Sequence, residues 1–184
     1  MSTAQQGNGR YGAVAIALHW LIAGLIAFNY VAAWVADDMP KAAAAKVMGN
    51  HMAFGILILL LSALRVVWRL VNRGPALLPM ARWESILAHA VHGLMYLLML
   101  GIPLAGWAMH SAFTGGEGVS MFGAFTFPGL PFAQDKHLAE HVFGTLHGLF
   151  AYAMLGLLAL HVLGALKHQF VDKVPELQRI LPWG

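Results

Sequence analysis

Four histidines lie inside long apolar segments of this chain, and their positions indicate that they act in two pairs. His19 and His161 lie near one end of the first and last apolar segments, whereas His51 and His147 lie near the opposite end of the second and last. A histidine in lipid is energetically costly unless it has a strong partner, so each of these imidazoles indicates a functional site. Two pairs at two depths predict two buried irons, one above the other, and therefore a path for electrons.

The spacing of the histidines supports this pairing. His147 and His161 are 14 residues apart, which on a helix corresponds to about 21 Å along the axis and nearly one face. One helix can therefore supply a ligand to each of two stacked sites. His19 lies six residues into its segment and His161 lies six residues before Lys167, so their depths match. The histidines of the other pair, His51 and His147, have matching depths when counted from the opposite end.

The ligand set favours haem over zinc. The chain has no cysteine, and two imidazoles without a nearby carboxylate do not suit zinc, which normally takes four ligands. A haem supplies four nitrogens itself and needs only axial ligands from the protein. An iron whose axial positions are both filled by histidine cannot bind oxygen or substrate directly, so the pattern predicts outer-sphere electron transfer.

Other residues near the predicted sites have two interpretations each. Arg65 follows His51 by 14 residues, so its guanidinium could pair with the propionates of the inner haem or simply set the membrane topology. His89 and His92 share a helix face and could bind the inner iron in place of His19, move protons at a quinone, or form interfacial hydrogen bonds. Nearby glycines would let a flat macrocycle approach, although small residues are also common in membrane helix packing. These glycines are Gly55, Gly144, Gly148 and Gly164.

The composition indicates a membrane protein. Of the 184 residues, 59% are hydrophobic and only 10% are charged, whereas soluble domains usually carry about a quarter charged residues. One span needs about 20 apolar residues, and lipid offers no partners for an open backbone, so each apolar segment must be a helix. We therefore predict an all-α membrane protein, a four-transmembrane-helix bundle that forms a single domain over residues 1–184. The predicted spans are residues 13–35, 47–68, 86–109 and 142–166.

The basic residues predict the orientation of the bundle. Eight lie on the side of the two termini and three on the other, and the positive-inside rule then places both termini in the cytoplasm. We call the side of the termini inner and the opposite side outer. The inner residues are Arg10, Arg65, Arg69, Arg73, Arg82, Lys167, Lys173 and Arg179, and the outer ones are Lys41, Lys46 and Lys136.

Two connections lie on the outer side. Residues 37–46 are predicted to form a short turn with an Ala-rich stretch. Residues 110–141 form a long loop, and loops of that length are usually functional or disordered. Its phenylalanines argue against disorder and favour either a lid over a site or an anchor on the bilayer surface. They are Phe113, Phe122, Phe125, Phe127 and Phe132.

Together, the segments around these residues resemble the bacterial cytochrome b561 family of small four-helix di-haem proteins. The resemblance runs from about residue 10 to the end, and it implies two haem b groups, with His19 and His161 on the inner iron and His51 and His147 on the outer iron. It also implies electron exchange with ubiquinone in the bacterial inner membrane. One branch of the family takes an electron from superoxide on the outer side and passes it to quinone. The matching segments are Ala17–Leu21, Asn50–Gly55, Arg65–Leu70, Ala88–Gly93, Thr145–His147, Leu160–His161 and Lys167–Phe170.

The outer charges fit an anionic substrate poorly, because five acidic residues face three lysines and a negative surface repels an anion. An activity toward superoxide therefore needs a local positive site, for which Lys136, His137 and His141 are the candidates. The acidic residues are Asp37, Asp38, Glu117, Asp135 and Glu140.

We therefore expect a membrane-bound oxidoreductase of the superoxide:ubiquinone type, in contact with the lipid bilayer and with no nucleic-acid partner. The alternative is a haem-bearing membrane anchor subunit that relays electrons between a dehydrogenase or hydrogenase and quinone. A haem-free scaffold or transporter has little support.

Overall fold

A computed structural model describes residues 9–72, 74–76, 78, 80–131 and 135–183 of the chain. Its long helices are α1 (Ala13–Ala36), α2 (Lys41–Val71), α3 (Arg82–Thr114) and α4 (Lys136–Val171). All four are long and apolar enough to cross a membrane, which confirms the predicted all-α, four-helix fold. Arg73 and Phe132, which entered the sequence predictions, lie outside the described residues, as does the side chain of Glu140.

All four helices extend beyond the predicted spans, α1 by a single residue, because hydropathy marks the lipid-embedded length rather than the whole helix. The prediction of an outer turn over residues 37–46 is wrong in its second half, since α2 already begins at Lys41 after Pro40. Alanine is the strongest helix former, so the Ala-rich stretch forms the first turns of α2. Helix α4 begins at Lys136, ahead of the predicted residue 142.

Helix α4 is not uniform along its length. Its central part, Thr145–Leu166, is α-helical, and it is flanked by π-helical turns at Ala139–Gly144 and Lys167–Val171. Turns of this kind occur mostly as single insertions in α-helices, often at functional sites. The outer one lies directly before the segment that carries His147.

The outer connection contains a β-hairpin that the sequence analysis missed. Strands β1 (Val119–Met121) and β2 (Phe125–Phe127) pair antiparallel, with Met121 opposite Phe125. The turn between them places Phe122 and Gly123 at positive φ, 55° and 80°. A phenylalanine in that conformation is uncommon, and the strands have only three residues each, so the sequence carried little signal.

The hairpin packs on the outer end of α2. Val119 and Met121 are buried against Ala53 and Ile56, on the helix that carries His51. Phe122 and Phe125, by contrast, are at least half exposed. The sequence allows two interpretations of this loop, a lid over a site or an anchor on the bilayer surface. The buried residues of the hairpin favour a cover over the outer end of the bundle. Its exposed phenylalanine rings are also suited to contact lipid.

The helices pack in chain order around an apolar centre. Helix α1 contacts α2, α2 contacts α3, and α3 contacts α4, and the central cluster comprises Ile22, Leu98, Met99 and Met154. The first and last described segments meet at the inner end, where the Tyr11 amide donates to the carbonyl of Arg179 at 3.1 Å. The bundle therefore positions the histidines of three helices along one interior path.

Candidate functional site

The structure brings both predicted histidine pairs together. The ring centres of His51 and His147 are 6.1 Å apart at the outer level. Those of His19 and His161 are 6.3 Å apart at the inner level. Each pair joins α4 to a different helix, α2 for the outer pair and α1 for the inner pair.

These separations fit two axial ligands of one haem iron. An imidazole nitrogen binds a metal at about 2.0–2.1 Å, and its ring centre lies about 1.1 Å farther away, so two imidazoles on opposite sides have centres about 6.3 Å apart. Both measured values agree with this separation. The four residues therefore fit two bis-histidine haem sites, at which each haem would supply a one-electron carrier.

At the outer level, backbone carbonyls orient both rings. The Nδ1 atom of His147 lies 2.9 Å from the carbonyl oxygen of Ile102, and Nδ1 of His51 lies 3.2 Å from that of Asn29. A ring nitrogen bonded to a carbonyl must carry the proton, which leaves Nε2 free to bind a metal. Histidine ligands in proteins are commonly held in this way.

Two residues that support the outer pair were not predicted. The side-chain amide of Asn29 donates to the carbonyl of His51 at 3.3 Å, so Asn29 contacts His51 twice. A Cβ atom on Gly106 would lie 2.9 Å from Nδ1 of His147, so only glycine lets this ring reach the Ile102 carbonyl. The sequence held no signal for either, because both act across helix contacts.

The four glycines singled out from the sequence differ from Gly106, because a Cβ atom at those positions would not contact a histidine ring. A Cβ on Gly148 or Gly164 would meet nothing within 4 Å, and one on Gly55 would touch only the Asn29 amide at 4.0 Å. A Cβ on Gly144 would lie 3.1 Å from the Ala139 carbonyl oxygen, which fits local packing. Gly148 and Gly164 leave open space beside the histidine-bearing face of α4.

Arg65 lies at the inner level, where it contacts a histidine of the candidate site. Its Nη2 is 3.2 Å from Nδ1 of His19, and its Nε donates to the Tyr96 hydroxyl at 3.3 Å. A guanidinium only donates, so Nδ1 of His19 accepts here and its proton is on Nε2. If His19 held an iron through Nε2, its proton would be on Nδ1, and the Arg65 guanidinium would turn toward another acceptor. A haem propionate has the matching charge and geometry.

His92 also lies at the inner level, on α3. Its ring centre is 5.1 Å from that of His161, which is too short for two ligands on opposite sides of an iron. The geometry therefore favours His19 over His92 as the partner of His161. The Nδ1 atoms of His92 and His89 contact the carbonyls of Ala88 and Ser85 at 2.7 and 2.6 Å. Both histidines are exposed on α3.

A recess of about 400 Å³ opens at the inner end, between the start of α1 and the C-terminal segment. One of its walls is Trp20, whose ring meets that of His19 edge-on at 5.2 Å. The Trp20 indole donates to the carbonyl of Ile180 at 2.8 Å, which closes the recess on one side. The sequence analysis did not identify it because its walls come from both ends of the chain. The lining residues are Arg10, Tyr11, Ala13, Ile16, Ala17, Trp20 and Pro182.

An ionic cluster joins α3 to the end of α4. The Lys167 ammonium donates to Glu84 at 2.6 Å and to Asp172 at 2.7 Å, and His168 contacts Asp172 at 2.8 Å. The Lys167 ammonium beside Asp172 holds the pKa of that carboxyl below its ordinary value. This cluster stabilises the inner end of the bundle on the side of α3.

The three residues suggested for superoxide guidance lie together at the outer start of α4. Lys136, His137 and His141 are all exposed, and the two imidazole centres are 4.7 Å apart. The carboxylate of Asp135 accepts from the backbone amide of His137 at 2.8 Å, which caps the helix. The local charge is therefore mixed rather than purely positive.

The chain is similar to known proteins over most of its length. A family profile described as prokaryotic cytochrome b561 matches residues 10–183. Cytochrome b561 homolog 2 of Escherichia coli (strain K12) is 29% identical over 94% of this chain and 91% of its own length. The probable superoxide oxidase CybB of Yersinia pestis is 27% identical over 94% and 96%. Cytochrome b562 of Cereibacter sphaeroides is 28% identical over 93% and 94%.

The family match covers nearly all of the described helices, including every histidine of the two interior pairs. Four apolar helices and this match make the chain a multi-pass bacterial membrane protein. It therefore belongs to the prokaryotic cytochrome b561 family, whose members are membrane b-type cytochromes that bind haem and transfer electrons.

Proposed function

We propose that this chain is a di-haem oxidoreductase that takes single electrons from superoxide on the outer side and passes them to ubiquinone. The observation that carries the proposal is the presence of two histidine pairs at iron-ligand spacing, 6.1 and 6.3 Å, at opposite ends of one bundle. The two ligands on α4 are about 21 Å apart along the helix. Haems at both levels would carry an electron across most of the bilayer.

The direction of transfer follows from the groups at each end. Lys136, His137 and His141 are exposed at the outer start of α4, where the Lys136 ammonium attracts an anionic donor. The similarity to a protein named as a probable superoxide oxidase supports superoxide as that donor. The hairpin beside His51 would limit the access of larger donors.

Ubiquinone would accept the electrons at the inner end. Two superoxide anions give two electrons and become two molecules of oxygen, and the quinone takes those electrons with two protons to form the quinol. His89 and His92 would relay protons: each Nδ1 is bonded to a carbonyl, so Nε2 would take up a proton from the inner aqueous side and pass it to the quinone. The recess beside Trp20 is the second possible place for the quinone ring.

The two quinone locations can be distinguished by variants. His92→Ala should slow quinone reduction if the quinone binds on α3, whereas Ala17→Trp should slow it if the quinone occupies the recess that Ala17 lines. In both variants the haem spectrum should be retained. The variant that raises the KM for quinone identifies the location.

The central experiment uses the purified, haem-loaded chain in detergent with a ubiquinone analogue and a steady source of superoxide. We expect quinone reduction by this chain alone, inhibited when superoxide dismutase removes the substrate. A chain that reduces quinone only after a dehydrogenase or hydrogenase is added would be the anchor subunit instead. A chain that binds no haem would exclude both functions.

A further inference from the structure

His137 and His141 form a histidine pair of a different kind from the two interior ones. They come from one helix, four residues apart, and both are exposed. Their ring centres are only 4.7 Å apart, with 48° between the ring planes. Side chains at this spacing are neighbours on a helix surface.

This separation fits two ligands on adjacent positions of one metal ion. With metal–nitrogen bonds of about 2.0 Å, two imidazoles at a right angle have ring centres about 4.5 Å apart, compared with about 6.3 Å for opposite positions. The measured 4.7 Å is close to the first value. We propose that His137 and His141 bind one divalent transition-metal ion at the outer surface, separate from the haem sites.

The surroundings indicate which ion would bind most tightly. In the described part of the chain, a single group of three or more histidines and carboxylates has metal-ligand spacing. It consists of Glu84, His168 and Asp172 and lies at the inner end. Among the described side chains, no carboxylate completes such a group with His137 and His141, and water would fill the other coordination positions. An open site with two nitrogens and water oxygens suits Cu²⁺ or Ni²⁺ in tetragonal geometry, and affinity for divalent ions is highest for Cu²⁺.

Nearby charges act in both directions on such an ion. The Asp135 carboxylate, bonded to the His137 amide, attracts a cation, whereas the Lys136 ammonium repels it. The remaining outer charges are mostly acidic and favour a cation. A bound ion would add positive charge beside Lys136, on a face that otherwise repels anions.

The test titrates the haem-loaded protein with Cu²⁺ in the absence of superoxide and records the EPR spectrum. We expect a tightly bound Cu²⁺ with hyperfine structure from two nitrogens, whereas an ion at Glu84, His168 and Asp172 would have only one protein nitrogen. His137→Ala and His141→Ala should each weaken binding at least tenfold and remove one nitrogen from the spectrum. Their haem spectra should be unchanged, which shows that the fold is intact.

His110→Ala provides the matched control, since His110 lies at the same end and contacts the carbonyl of Gly118. It should bind Cu²⁺ as the wild type does. The proposal is overturned if neither variant of the pair weakens binding, or if His110→Ala weakens it equally. Because the readout is metal binding, its failure would leave the proposed electron transfer unaffected.

Discussion

Nδ1 of His147 lies 2.9 Å from the carbonyl oxygen of Ile102, and this contact depends on the glycine one turn farther along α3. A Cβ atom at Gly106 would approach Nδ1 of His147 to 2.9 Å and Cε1 to 3.0 Å. Contacts this short force the imidazole to move. The orientation of the His147 ring on α4 therefore depends on the absence of a side chain at Gly106 on α3.

Gly106→Ala should displace the His147 ring and lower the occupancy of the outer haem or shift its EPR signal. Gly101→Ala is the matched control on the same helix, because its Cβ would meet Phe150 at an ordinary 3.5 Å. Haem per chain and low-temperature EPR would distinguish the two variants. Equal spectra for Gly106→Ala and the wild type would contradict this role of Gly106.

His147→Ala should remove the outer haem and leave the inner one largely in place, because the second ligand on α4, His161, lies about 21 Å away. The visible spectrum should then show about half of the haem per chain. His110→Ala, at the same end, should keep both. An unchanged haem content in His147→Ala would refute the ligand assignment.

Arg65→Gln should lower the reduction potential of the inner haem. A cation beside the haem site favours the less positive ferrous iron. Removing the charge of Arg65 from this partly buried site changes the free energy of reduction by roughly 1–2 kcal/mol, or several tens of millivolts. Arg69→Gln, four residues farther along α2 and exposed, removes the same charge without contacting His19. A redox titration in which both variants shift equally would show that the contact has no special role.

Lys136→Glu should slow the oxidation of superoxide because a charge reversal acts on the encounter with an anion. The difference from the wild type should shrink as salt is added, since screening acts over about 10 Å at 0.1 M. Lys41→Glu makes the same charge change elsewhere on the outer side and should have a smaller effect. The measurement is the initial rate of superoxide oxidation at several ionic strengths. Equal effects of the two variants would show that the overall surface charge, rather than Lys136, controls the encounter.

The Asp172 contact with Lys167 predicts a pH dependence of stability at acidic pH. The pKa of Asp172 is lowered in the folded chain. Its contribution to the stability of the fold is therefore fully present when the pH is above the ordinary carboxyl pKa of about 4. It is lost as the pH falls through the lower folded value. The Tm difference between the wild type and Asp172→Asn should shrink as the pH falls below about 4, because protonation removes the carboxylate charge from the wild type as well. A Tm difference that stays the same from about pH 5 to 3 would contradict this role of Asp172.

The sequence by itself determined the helical membrane fold and the pairing of the four interior histidines. Apolar segments must satisfy their backbone groups internally in lipid, and the rise of a helix converts residue spacing directly into depth. The separation of His147 and His161 along the sequence therefore predicts two histidine levels in the bundle.

Only the tertiary structure decided which atoms meet across helices. The Ile102 carbonyl, the Gly106 surface, the Asn29 contacts and the recess beside Trp20 each depend on how neighbouring helices and the two chain ends pack. The hairpin over α2 is not predictable from the sequence, because its two strands are short and its turn places a phenylalanine at positive φ. Local periodicity sets the depth and face of a residue, but the partner that it meets there is set by long-range packing.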